Sequence, residues 1–106
     1  MGWIYLLLAG LAEIGWPVGL KLAQNQANRW LGLSIAIIFM TISGVLLYIA
    51  QRSIPIGTAY AVWTGLGAAG TFIIGVWFFG DSTSFLRFLG VALIMGGVTT
   101  LKMADQ

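Results

Sequence analysis

The chain has 106 residues, 59% of them hydrophobic and 8% charged, whereas a soluble domain is roughly half apolar and about a quarter charged, so a soluble core is excluded. Cysteine and histidine are absent, which removes disulfides, thiol chemistry and the usual zinc ligands, and neither a metal nor a cofactor is expected. The net charge of +2 comes from Lys21, Arg29, Arg52, Arg87 and Lys102, which form no basic run, so nucleic acid is not an expected partner and the lipid bilayer is.

Crossing the roughly 30 Å hydrocarbon core of a bilayer takes about 20 helical residues, so four crossings would use about 80 and leave only short loops and ends. The expected architecture is therefore a single all-α transmembrane domain of four helices running alternately up and down. The first apolar stretch runs from about Trp3 to Leu22. It lacks the basic leader and small-residue cleavage site of a signal peptide, and it carries Glu13 at its centre. Lys21 and the polar run from Gln24 to Arg29 close it, and a second span follows from Trp30 to about Gln51. Pro55, after Arg52-Ser53-Ile54, stops one helix or opens the next. The third span covers about Gly57 to Phe79. Gly80-Asp81-Ser82-Thr83 forms a turn with N-cap residues, and the fourth span runs from about Phe85 to Met103, before a polar tail of Ala104-Asp105-Gln106. Strands are not expected, because only helices and closed barrels satisfy backbone groups in lipid and these runs do not alternate.

Lys and Arg near the span ends set orientation in a membrane. Here one side would carry the amino terminus, Arg52 and Lys102, and the other Lys21, Arg29 and Arg87. The bias is close to nil, which permits insertion in both orientations.

Glu13 lies about ten residues into the first span, some 15 Å deep at 1.5 Å per residue and therefore near the bilayer midplane. A carboxylate there costs at least a few kcal/mol, and an intramembrane ionisable group points to function. The alternative is a protonated side chain serving as interhelical packing glue. Burial disfavours the charged form and a nearby cation favours it, so a proton and a cation would compete for one carboxylate. Residues at helical offsets from Glu13 are Leu6, Ala9, Gly10, Trp16, Pro17 and Leu20: small groups on one side and an indole on the other, as in a cavity wall. Pro17 cannot donate to the carbonyl of Glu13 itself, which leaves that carbonyl open to a polar ligand or merely kinks the helix.

In the third span Tyr60, Trp63, Thr64 and Gly67 share one face, which reads either as a site wall or as an interfacial aromatic belt. Gly65 and Gly67 offer a flexible point. Thr41 and Ser43 in the second span sit at a depth comparable to Glu13, where either could orient the carboxylate or bond its own helix. Gly90 and Gly97 stack on one face of the fourth span, with Gly96 beside them, and small residues of this kind allow close helix contact within or between chains. Four such helices enclose little volume, which favours a pathway built from two chains.

These residues identify a family. Ala12-Glu13 with Trp16, the segment Pro55 to Gly67, and the Gly-Val pattern with Leu101-Lys102 near the end resemble the small multidrug resistance transporters, and within them the guanidinium exporter subtype, over nearly the whole chain. The resemblance implies a multi-pass protein of the bacterial inner membrane that is an antiparallel, dual-topology homodimer. In such a protein Glu13 of both chains binds either protons or a guanidinium-type cation. It implies Ser43 as the hydrogen-bond partner of Glu13, Trp16 and Trp63 as aromatic cavity residues, Tyr60 as a lining and gating residue, and Gly90 and Gly97 as the dimer contact. Gly10, Pro17, Gly67 and Lys102 are secondary candidates.

The subtype rests on Trp16 and on the run Gly67-Ala68-Ala69-Gly70. A planar guanidinium presents two parallel N–H donors to a carboxylate, whereas a quaternary ammonium relies on aromatic faces. Two residues depart from the family pattern, which has a small residue in place of Pro17 and a bulky one in place of Gly44. Both changes are expected to enlarge or repolarise the cavity and to admit substituted guanidines, such as guanylurea-like compounds. The competing readings are export of hydrophobic quaternary ammonium compounds and a non-transporting membrane scaffold subunit. With no nucleophile paired to a base, an enzyme is not expected.

Overall fold

The computed structural model describes residues 2–104. The expected tail residues Asp105 and Gln106 lie outside them. Five α-helices and one 3₁₀ turn follow in order: α1 Gly2–Glu13, α2 Gly15–Leu22, the 3₁₀ turn Gln26–Asn28, α3 Arg29–Ala50, α4 Ile56–Phe78 and α5 Phe85–Ala104. Helices α1 and α2 form one membrane-length segment, so the described residues contain four helical stretches long and apolar enough to cross a membrane: Gly2–Leu22, Gln26–Ala50, Ile56–Phe78 and Phe85–Ala104.

The first span differs from a single helix in being interrupted at Ile14. That residue keeps helical dihedrals, φ −62° and ψ −35°. The Ile14 N–H makes a bond three residues back, to Leu11, at 3.2 Å. The cause lies one turn ahead, where Pro17 has no N–H to return to the carbonyl of Glu13. The carboxylate-bearing residue is thus the last of α1.

In lipid, apolar burial gives helices little reason to associate, and close approach of small residues does more. The buried positions of α3 are Gly32, Ala36, Ser43 and Ala50, which recur at helical spacing and face α1 and α2. The tightest crossing joins α2 to α3. A Cβ built on Gly19 would lie 2.6 Å from both the Gly32 carbonyl oxygen and the Ala36 nitrogen, which is backbone on backbone. A small apolar core of Leu6, Ala50, Ile54, Ala59 and Val62 closes the other end, between α1, α3 and α4. Two residues past the end of α4 stands Gly80, whose φ of +70° is the left-handed conformation that glycine takes at low cost.

Helix α5 packs on α4 and has no buried residue. The molecule measures 46 × 34 × 16 Å, and a helix with its side chains is about 10–12 Å across, so the chain is a slab little thicker than one helix layer.

Candidate functional site

Four polar side chains come together around the end of α1, from α1, α2, α3 and α4. The Trp16 indole, one turn on, donates from Nε1 to Glu13 Oε2 at 2.9 Å. Ser43 lies across the interface from α3 and is fully buried. Its Oγ donates to the Ala9 carbonyl at 2.8 Å and lies 3.4 Å from Glu13 Oε1. A hydroxyl carries one proton, so the shorter bond to Ala9 takes it and the contact to Glu13 is the weaker alternative. The Trp63 indole on α4 completes the chain by donating from Nε1 to Ser43 Oγ at 2.7 Å.

Glu13 itself is half-buried. Its side chain lies against Gly67, where an added Cβ would come within 2.6 Å of Glu13 Cγ. Only a glycine lets α4 approach the carboxylate this closely. The carboxylate opens on a cleft of about 270 Å³ lined by Glu13, Pro17, Thr64, Gly67, Ala68 and Thr71. Pro17 and Thr71 also line a neighbouring cavity of about 200 Å³ that reaches Lys21 and Asp81.

Glu13, Trp16, Ser43 and Trp63 are thus brought together, with Gly67 and Pro17 on the cleft wall. The other candidates lie elsewhere within one chain. Tyr60 meets the Trp63 ring at 5.5 Å between centroids but is 58% exposed, pointing out from the slab. Gly10 packs against Leu66, so its smallness serves the α1–α4 contact and leaves the cleft untouched. Lys102 stacks its ammonium over the Trp3 ring at 5.1 Å, among the α1 and α5 residues at the far end of the bundle. Thr41 bonds its own helix at Ile37. A Cβ on Gly44 would meet nothing within 4 Å, so this residue does not widen the cleft within one chain. Gly90, Gly96 and Gly97 likewise face open space. Thr71 was absent from the sequence reading, although it continues the Tyr60, Thr64 and Gly67 stripe by one further turn. The acceptor role of Ala9 belongs to a backbone carbonyl and leaves no trace in the residue type.

The description of a small multidrug resistance protein matches this chain over residues 1–94. The chain belongs to the small multidrug resistance family. Among its relatives in that family, a guanidinium exporter of Yersinia pseudotuberculosis is 45% identical over 105 residues, covering 99% of this chain and 100% of its own. A guanidinium exporter of Salmonella typhimurium strain LT2 is 45% identical over 104 residues, 98% of each chain. One from Citrobacter freundii is 44% identical over 106 residues, the full length of both. Small multidrug resistance proteins are transporters and not enzymes, and this one is a multi-pass membrane protein.

Proposed function

We propose that this protein is a proton-coupled antiporter of the bacterial inner membrane that exports guanidinium and small substituted guanidinyl cations. The observation that carries this reading is Glu13: a half-buried carboxylate, held by Trp16 at 2.9 Å, that opens on a cleft near the middle of the first span. The guanidinium exporters that match nearly the whole chain support the choice of substrate. An ionised carboxylate offers acceptors only, and a guanidinium offers donors only, in a planar fork that fits two carboxylate oxygens at once. A proton on Glu13 removes that match, so either ligand excludes the other. Exchange follows when the loaded and the protonated forms can each turn from one side of the membrane to the other.

One slab cannot enclose such a site. The functional unit in this reading is an antiparallel homodimer, with the exposed glycine face of α5 as the contact and two Glu13 carboxylates facing one pathway. Tyr60, exposed in the single chain, then borders that pathway. Two carboxylates sharing a cavity gain and lose protons as a coupled pair.

The experiment is uptake of guanidinium into liposomes holding the purified protein, driven by an outward proton gradient. Wild-type protein is expected to accumulate the cation, and Glu13→Gln, which keeps the shape and removes the charge, to lose accumulation altogether. Undiminished uptake by Glu13→Gln would overturn the mechanism.

A further inference from the structure

Serine and threonine hydroxyls in helices commonly bond back to the carbonyl one turn earlier. Ser34, Thr41, Thr99 and Thr100 do so here, at 2.8, 2.9, 2.9 and 2.7 Å. Thr64 and Thr71 behave differently: neither hydroxyl has a hydrogen-bond partner among the described residues. No buried polar side-chain atom among those residues lacks a partner, so the hydroxyl of the half-buried Thr71 opens onto accessible space.

Both threonines line the Glu13 cleft. Seven residues apart, they share one face of α4, with Gly67 and Ala68 as a low floor between them. The Glu13 side chain lies over Gly67, one turn before Thr71, and four residues of helix span about 6 Å. Of the residues around the two cavities, only Pro17 and Thr71 line both, so they stand at the boundary between them. One side of that boundary is a hydrocarbon ring, and the other carries a hydroxyl with its hydrogen bonds unused.

From this placement we infer that Thr71 is a specificity-determining residue. Its hydroxyl receives the polar substituent of a guanidinyl cation whose charged end is held at Glu13, while Pro17 packs against the substituent's other face. The inference rests on the proposed export of guanidinyl cations. A hydroxyl both donates and accepts, so it suits an amide, hydroxyl or amino substituent about one helical turn from the charged group. An alkyl substituent of the same length gains no hydrogen bond there. Unsubstituted guanidinium has no substituent to place at Thr71.

The test uses wild type, Thr71→Val and Thr71→Ser in liposomes, with guanidinium, a carbamoyl-substituted guanidinium and propylguanidinium as substrates. The quantity read is the ratio of kcat/KM for the carbamoyl compound to that for the propyl compound. Valine keeps the volume and removes the hydroxyl, and is expected to lower the ratio between about threefold and tenfold, the effect of one hydrogen bond. Serine keeps the hydroxyl and is expected to keep the ratio. An unchanged ratio in Thr71→Val, or an equal loss in both variants, would overturn the inference while leaving guanidinium export intact. Failure of wild type to move any of the three cations would remove the proposed function, and this inference with it.

Discussion

Ser43 has one proton and two acceptors in reach, and it is itself the acceptor for Trp63. Its position ties three helices to the residue that carries the charge. Replacing it with alanine deletes the bond to Ala9 and leaves the Trp63 N–H without a partner in a part-buried setting. Ser43→Ala should therefore destabilise the folded protein by about 1–3 kcal/mol. Trp63→Phe removes the other half of the same bond, so the double variant should lose less than the two singles together, by about 0.5 kcal/mol or more. Urea unfolding in detergent micelles, followed by tryptophan fluorescence of wild type, both single variants and the double variant, measures this; strictly additive losses would show that the Trp63–Ser43 bond contributes nothing. Trp16 was legible beside Glu13 because three residues along a helix is contact distance. From the residues themselves Ser43 was legible as a polar group at similar depth, and from the family resemblance as a partner of Glu13; its preference for the Ala9 carbonyl needed the distances.

Among the elements, the apolar runs and the polar stretches between them were sufficient to read four spans, because the bilayer imposes a minimum helix length. The interruption at Ile14 was open in the sequence, where Pro17 offered either a kink or a freed carbonyl. The structure has a local interruption of the helix there, with Ile14 itself in helical dihedrals. Helix pairing was less legible. Gly19 and Gly32 carry no mark in the sequence that distinguishes them from the glycines of α5, yet they form the α2–α3 crossing while Gly90 and Gly97 face open space. Periodicity names a face and not its partner. The crossing yields a prediction: in Gly19→Ala the new methyl meets backbone, which cannot rotate away, so α2 and α3 must separate. A loss of about 1–3 kcal/mol is expected, typical of overpacking, read as a lower midpoint of thermal unfolding in detergent. An unchanged midpoint would mean that the two helices do not cross at this glycine.

The whole molecule is a slab 16 Å thick with its one intramembrane carboxylate half-exposed on a cleft. Positive charges fall towards both ends, with Lys21, Arg29 and Arg87 at one and the amino terminus, Arg52 and Lys102 at the other, a distribution compatible with insertion in both orientations. That near balance and the unpartnered glycine face of α5 support the antiparallel pair in the proposed mechanism. The sequence made a two-chain pathway plausible through a volume argument, and the thinness of the slab now supports the same conclusion. The central claim is that one carboxylate serves two ligands that exclude each other. Its most direct measurement is proton release when guanidinium is added to purified protein in weakly buffered detergent solution, followed with a pH indicator at several starting pH values. The account predicts that bound cation displaces protons from wild-type protein, with weaker cation binding as the pH falls, and that Glu13→Gln releases none. Guanidinium binding with no proton release at any pH, or equal release from Glu13→Gln, would contradict it.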